Sequence, residues 1–318
     1  MEHKSYNPRI SAVICTYRQP DMLAAAIESL LAQSLLPDDY EILVVDNNSQ
    51  DATAEIVQSY VQDNAHRIRY VLETRQGLSY ARNRGVQLAA SDILAFLDDD
   101  AVADRDWLSS LLEVYDNVPD AWAVGGKILP IWDGERPKWL KDTMLRMLSI
   151  VDWGNEKRPL KWPERIIGAN CSFRKQVFSE VGLFATDLGR RGSLLLGAED
   201  TEIQERLHKL GKLVFYTPRA VVDHHVPCER MTKRYFYRRS YGSGRTVAIL
   251  MTQQGCYGLV LKRLLMIGLG LPWIWLGLLW RILEESRRFD KLRSQAQLFG
   301  FVYQAIVSLL SSRDRRQL

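Results

Sequence analysis

Three consecutive carboxylates, Asp98, Asp99 and Asp100, follow the apolar run ILAFL without a break. Crowding three anions at a strand end is costly unless a cation or hydrogen-bond donors offset it, so a hard divalent metal held by oxygen is one natural explanation. A solvated acidic turn is the plainer one. A diphosphate would supply such a metal with further oxygens and be neutralised by it as a leaving group. Asp46 closes a second apolar run, EILVVD, where it could accept a hydrogen bond from a nucleobase or ribose, or only shape an Asx turn. Arg75, Arg82 and Arg84 fall near a helix start in RQGLSYARNRG, where guanidinium groups could meet phosphate or sit on solvated surface. In GAED, Glu199 and Asp200 precede the helical segment TEIQERLHKL. A carboxylate there gains from the helix N-terminus and could take a proton from an acceptor hydroxyl, or act as a cap alone. Two adjacent carboxylates cannot both be the base; Asp200 is assigned that role and Glu199 the holding of the acceptor. His224 and His225 follow the run AVVD, and an imidazole from either could complete a metal shell or be packed and hydrogen-bonded.

The elements that must position these groups repeat over the first hundred residues. Apolar runs at 10–17, 41–49, 68–73 and 92–100 end in polar residues, and between them lie segments of helical spacing such as Leu23, Ile27, Leu30 and Leu31. Asp51 and Thr53 offer capping near the start of the second helix. Strands alternating with helices of this length are βαβ units, which predicts a parallel sheet with its site beyond the carboxyl ends of the strands. Thr16, Asp46 and Asp98–Asp100 fall at those ends. Beyond residue 120, AWAVGGKILP suggests a further strand, and Trp132, Trp139, Trp153 and Trp162 could line a sugar site or pack in loops.

With 318 residues, 47% hydrophobic and 25% charged, the composition is that of a globular enzyme, one large α/β domain plus an appendage. Residues 1–225 carry 26 basic against 33 acidic side chains, a balance of −7, whereas 226–318 carry 16 against 5, a balance of +11. A basic, apolar tail on an acidic body points to anionic lipid; no nucleic-acid motif accompanies the charge. Residues 264–280 hold no charge and 298–310 form a second apolar stretch. Basic clusters flank both, with Arg313, Arg315 and Arg316 following the second. A single crossing would leave one cluster outside, so interfacial or re-entrant helices are expected. Four cysteines without CxxC spacing fit a reducing cytosol, and the N-terminus has no apolar signal region, so the body is expected on the cytoplasmic side.

Taken in order, VICTYRQ (13–19), VVDNNSQDAT (44–53), GLSYARNRG (77–85), FLDDD (96–100), GANCSFRK (168–175), GLFATDLG (182–189) and GAEDTEI (197–203) resemble the family 2 glycosyltransferases, inverting enzymes of the GT-A fold. The resemblance covers residues 10 to about 245. It implies that Thr16 and Tyr17 contact the nucleotide and that Asp46 binds the base. The triplet matches the DXD element, with Asp98 near the ribose or metal and Asp100 on the metal; Asp99 and Arg82 are expected among the residues that bind the nucleotide sugar. GAED matches the ED motif, whose aspartate, here Asp200, is the usual base. The QxxRW element of processive synthases is absent and RRSYGSGR stands in its place, so single additions are expected. The longer pattern also looks like bacterial enzymes of exopolysaccharide assembly, including the hormogonium polysaccharide type.

The resulting expectation is a GT-A (Rossmann-like) α/β catalytic domain over 1–245 and membrane-associating helices over 246–318. The reaction is metal-dependent, with Mn2+ or Mg2+ held by Asp98, Asp100 and His224 or His225. It moves a hexose-type sugar from a UDP- or GDP-sugar to a glycan or lipid-linked acceptor at the cytoplasmic side of the cell membrane. A sugar nucleotidyltransferase would carry a Gly- and Arg-rich loop where CTYRQPD stands, and a dinucleotide oxidoreductase would carry GxGxxG after the first strand. A membrane-tethered sugar-nucleotide-binding protein without activity is the non-enzymatic alternative.

Overall fold

The computed structural model describes residues 7–192, 194–276 and 285–314. Two compact units result. The first comprises Met1–Glu135, Asp142–Thr186 and Glu199–Pro227; the second comprises Arg136–Lys141, Asp187–Ala198 and Cys228–Leu318.

The first unit begins as alternating strands and helices: β1 (Ile10–Thr16), α1 (Pro20–Leu31), β2 (Tyr40–Asp46), α2 (Thr53–Asn64), β3 (Ile68–Leu72), α3 (Leu78–Leu88) and β4 (Ile93–Asp98). It continues through β5 (Ala101–Ala103), α4 (Trp107–Asn117), β6 (Ala121–Gly125), β7 (Ile128–Trp132), β8 (Arg158–Pro159), β9 (Asn170–Arg174), α5 (Gln176–Glu180), α6 (Glu199–Lys209), β10 (Leu213–Tyr216) and β11 (Val222–Val226). Every residue of β2 is buried, as a strand covered on both faces requires. Pro20 starts α1, and its Leu23, Ile27 and Leu30, one face at helical spacing, are each fully buried against that sheet. Asp51 accepts the Thr53 amide at 3.0 Å just before α2, but the N-cap position falls on Ala52, which has no side chain to cap with, so the capping expected of Asp51 and Thr53 is a local turn instead.

The large sheet has the order β3-β2-β1-β4-β9-β6-β10-β8. β3, β2, β1 and β4 are parallel, as expected, and the antiparallel β9 follows beside β4. A small sheet, β5-β11-β7, stands apart in the pairing. The single strand anticipated in AWAVGGKILP is therefore two, β6 in the large sheet and β7 in the small one. The break has a steric cause: a Cβ on Gly126 would lie 1.8 Å from the Ala220 carbonyl oxygen, so only glycine lets the chain cross there.

Asn170, wholly buried at the start of β9, links the two sheets. Its Nδ2 donates to the carbonyls of Lys127 (2.9 Å) and Ala220 (2.8 Å), which precede β7 and β11, and its Oδ1 accepts from Trp107 Nε1 at 2.8 Å. Three partners from three elements meet on one side chain.

In the second unit, α7 (Lys233–Gln253), α8 (Tyr257–Leu276) and α9 (Glu285–Asp314) pack around Ala248, Val260, Phe301 and Ala305. The expected domain limit at 245 falls inside α7. The apolar stretch 264–280 is helical as far as Leu276; its remaining residues, and Arg315 and Arg316, lie outside the described residues. Among the described residues no helix is long and apolar enough to cross a membrane.

Replacing Asn170 by Ala removes the bonds to the Trp107 indole N–H and the Ala220 carbonyl, each such loss costing about 1–3 kcal/mol where water cannot enter, while the Lys127 carbonyl keeps the Val222 amide at 3.0 Å. Asn170→Ala is expected to lower unfolding free energy by roughly 2–4 kcal/mol at unchanged m-value in urea. A loss within measurement error would show that the small sheet holds without this link.

Candidate active site

Register sets the site. Thr16 pairs with Asp46 and Cys15 with Asp98, so the ends of β2, β1 and β4 lie side by side at one edge of the sheet. Asp98 ends β4 and Asp100 immediately precedes β5, which turns the chain into the small sheet beside β11. There His224 pairs with Ala101, and its Nε2 lies 3.3 Å from Asp100 Oδ1. Ligand atoms of Asp98, Asp100 and His224 all fall within 4.8 Å of one another. The imidazole is 1% exposed, and its Nδ1 has no hydrogen-bond partner among the described residues. Two carboxylates and a buried imidazole with unused capacity are a donor set that fits a divalent cation.

Asp99 takes another direction. It accepts the Tyr17 amide at 3.3 Å, and burial, then the neighbouring Asp100 and Asp98 carboxylates, push its carboxyl up to about 7 against the pull of Thr16 and Tyr17. The protein alone thus leaves negative charge at this strand end undercompensated.

His225 does not join the cluster. Successive strand residues face opposite ways, and His225 turns to Asp133, 3.4 Å from its Nδ1. Its candidacy as a metal ligand is corrected on that ground. The strand's own pattern, apolar at Val222 and Val226 with His224 in phase, could have separated the two.

Arg82 also departs from expectation. Instead of reaching out for phosphate, it is 2% exposed, with Nη1 on Glu199 Oε1 at 2.7 Å and Nη2 on Asp98 Oδ1 at 3.3 Å. Burial alone would lower its pKa, but the carboxylates of Glu199 and Asp98 outweigh burial and hold it above the usual arginine range. Its guanidinium also lies 5.9 and 5.8 Å from the ring centroids of Phe96 and Phe184. One buried cation therefore joins the end of β4 to the start of α6. Arg75 is paired with Glu73 at 2.8 Å.

Asp200, buried beside Glu199, accepts the Gly168 amide at 2.8 Å on Oδ2 and the Thr201 amide at 2.7 Å on Oδ1. Gly168 is the residue that leads into β9, and a Cβ on it would sit 2.4 Å from Arg82 Nη2. Asp46 is 1% exposed; Ser49 N donates to its Oδ1 and Tyr70 Oη to its Oδ2, both at 2.8 Å. Two residues not anticipated organise this flank. Tyr70 is one, its hydroxyl pushed up to about 12 by burial and by the Asp46 bond. Asn47 is the other: it accepts the Gly77 amide at 2.7 Å and donates to the Arg75 carbonyl at 2.7 Å, fixing the loop into α3.

Of the tryptophans, Trp132 ends β7 half-buried, Trp153 donates to the Arg165 carbonyl at 3.1 Å, and Trp162 stacks on His208. Trp139 packs edge-on against Phe236 and Phe289 in the second unit.

A parallel-edged sheet with an Asp-x-Asp end, an imidazole beside it and a carboxylate pair at a helix start fits an α/β protein of the GT-A type. The sequence profile described as Glycosyl transferase family 2 matches residues 11–182. The chain belongs to that family and is a glycosyltransferase. It is 29% identical over 245 residues to the glucosyl-dolichyl phosphate glucuronosyltransferase of Haloferax volcanii, covering 76% of this chain and 77% of that one. It is also 29% identical over 248 residues to the succinoglycan biosynthesis protein ExoM of Rhizobium meliloti, covering 76% and 74%. In structure it resembles the mannosyltransferase PcManGT of Pyrobaculum calidifontis, solved with GDP-Man and Mn2+, at a TM-score of 0.61 with 19% identity over 95% of this chain and 88% of that one.

Two outcomes test the geometry. Arg82→Leu leaves Glu199 and Asp98 without their cation and is expected to cost about 3–5 kcal/mol; paired with Glu199→Leu, the loss should be smaller than the sum of the single losses. Additivity in that double-mutant cycle would deny the coupling. Separately, Mn2+ is expected to raise the wild-type melting temperature, with the rise reduced in His224→Ala and Asp100→Ala and kept in His225→Ala. An equal effect of both histidine variants would return His225 to the site.

Proposed function

We propose that the chain catalyses an inverting, metal-dependent transfer of a sugar from a UDP- or GDP-sugar to a hydroxyl of a glycan or lipid-linked acceptor, in cell-surface or exopolysaccharide synthesis. The observation that carries this reading is the meeting of Asp98, Asp100 and His224 with Glu199 and Asp200 through Arg82. Relatives named for glucosyl-dolichyl phosphate and for succinoglycan, and structural neighbours solved with GDP-Man and Mn2+ and with UDP, GalNAc and Mn2+, support it.

In this reading Asp200 removes the proton of the acceptor hydroxyl, and that oxygen attacks the anomeric carbon from the face opposite the diphosphate. The Gly168 amide on Oδ2 and the Thr201 amide and hydroxyl on Oδ1 hold the carboxylate in one orientation, which leaves the further lone pair on Oδ2 to take the proton. Glu199, fixed by Arg82, stands beside it to position the acceptor. Asp98, Asp100 and His224 would hold Mn2+ or Mg2+, which when bound offsets the charge of the departing diphosphate. Thr16, Tyr17 and the Asp46–Tyr70 pair border the nucleotide. We locate the reaction at the cytoplasmic side of the membrane, with the chain peripheral or re-entrant.

Asp200→Asn is expected to lose turnover by about 10²–10⁴-fold while keeping the thermal shift given by donor and metal. The measurement is nucleotide released from UDP- and GDP-sugars with Mn2+ present. Release by Asp200→Asn at the wild-type rate would remove Asp200 as base. No release by wild-type protein from any donor, with or without acceptor glycans, would favour a binding protein.

A further inference from the structure

The transfer chemistry leaves the outer surface of α8 and α9 unused. α9 buries Phe301 and Ala305 completely against Ala248 of α7 and Val260 of α8. A helix with such an inner face ordinarily turns polar residues outward. Here Phe299, Tyr303, Ile306 and Leu310, at spacings of four, three and four, form a second apolar stripe that is exposed, Phe299 by 55% and Leu310 by 58%. On α8, Leu261, Leu265 and Leu269, at spacings of four, are likewise exposed, by 56 to 66%, with Met266 beside them. The cleft between the two helices continues the same character, lined by Leu264, Ile267, Leu298 and Val302.

Single exposed apolar residues are ordinary, but contiguous stripes on two adjacent helices mark a surface that is covered in use. Charge selects the cover. Lys262 is exposed on α8 among these residues, Arg288 and Lys291 are exposed at the start of α9, and residues 226–318 carry a balance of +11. A bilayer with anionic headgroups meets both demands at once, offering an acyl boundary to the stripes and phosphate to the basic side chains. Lying flat suits these helices, since among the described residues none is long and apolar enough to cross. Tyr303 adds an amphipathic ring of the kind that settles at headgroup depth.

We infer that the outer face of α8 and α9 docks on the surface of an anionic lipid bilayer, both helices lying in the headgroup region. This deepens the membrane location proposed above by naming the surface, and it rests on observations separate from those behind the transfer chemistry.

The test is co-sedimentation of the full chain with phosphatidylcholine vesicles, with and without phosphatidylglycerol. Wild-type protein is expected to sediment with the mixed vesicles and to be released by high salt. Leu265→Glu combined with Ile306→Glu, both at exposed positions, should weaken partitioning at least about tenfold at unchanged melting temperature. Lys262→Gln and Arg288→Gln should each weaken it about fivefold, on mixed vesicles only. Wild-type protein remaining in the supernatant, or a double-Glu variant that sediments like wild type, overturns the inference. So does a wild-type dimer in sedimentation equilibrium that the double-Glu change converts to monomer while vesicle binding is absent, for the face would then join two copies. Nucleotide release assayed without vesicles on the same preparations separates the two readings: lost docking with intact release fails only the surface, and intact docking without release fails only the transfer.

Discussion

Burying a guanidinium is tolerable only where carboxylates surround it, and Arg82 meets that constraint by drawing Glu199 and Asp98 onto one group. The rest of the site follows from it. Phe96 and Phe184 close around its apolar faces, and residue 168 must be glycine because a Cβ would strike Nη2. Gly168 then brings its amide to Asp200, so the same requirement that makes room for Arg82 also orients the carboxylate proposed as base. A cation buried in the interior thus does indirectly what a surface arginine on phosphate could not: it fixes the spacing between a strand end and a helix start far apart in the chain.

The parallel half of the large sheet was readable because its signals are local. Apolar runs of strand length, helical spacing between them and polar residues at their ends suffice to place β1 to β4 and make them parallel, though not to order them, and the rule that sites form at carboxyl ends then gathers Thr16, Asp46 and Asp98–Asp100. The features that were not readable depend on burial or on contacts distant in sequence. RNR in a helix has the look of solvated charge, and nothing nearby says that the middle of ARN faces a pair of aromatic rings. Asn170 looks like any polar residue at a strand start until Lys127, Ala220 and Trp107 are seen to converge on it. The crossing at Gly126 reads as one strand because the carbonyl that forbids a side chain there comes from residue 220. His224 against His225 is an intermediate case, since the alternation that separates them was present in the sequence but needed the strand to be placed first.

The cluster itself is arranged against the stability of the protein alone. Asp99 is driven up to about 7 by burial and its two neighbours, and the His224 Nδ1 lies buried without a hydrogen-bond partner among the described residues. Natural cores rarely leave such groups unsatisfied without a use for them. A group that binds the folded chain and not the unfolded one returns the deficit by mass action, in proportion to the logarithm of its concentration over its dissociation constant. Under the proposed function, a divalent cation at Asp98, Asp100 and His224 would be that group.

The two units divide these tasks by chemistry. The first concentrates acidic side chains, which gather cations and can accept protons, and its hydrophobic clusters are closed around the sheet. The second has an inner apolar seam and an outer apolar face with basic side chains among them, a composition that would be a liability in a freely soluble helical appendage. Acidic charge near a membrane of anionic lipid is repelled and basic charge attracted, so an acidic catalytic body gains from carrying its basic residues on one separate surface. The uneven charge along the chain, −7 before residue 226 and +11 after it, fits the proposed docking, which would place two electrostatic requirements of opposite sign in one polypeptide.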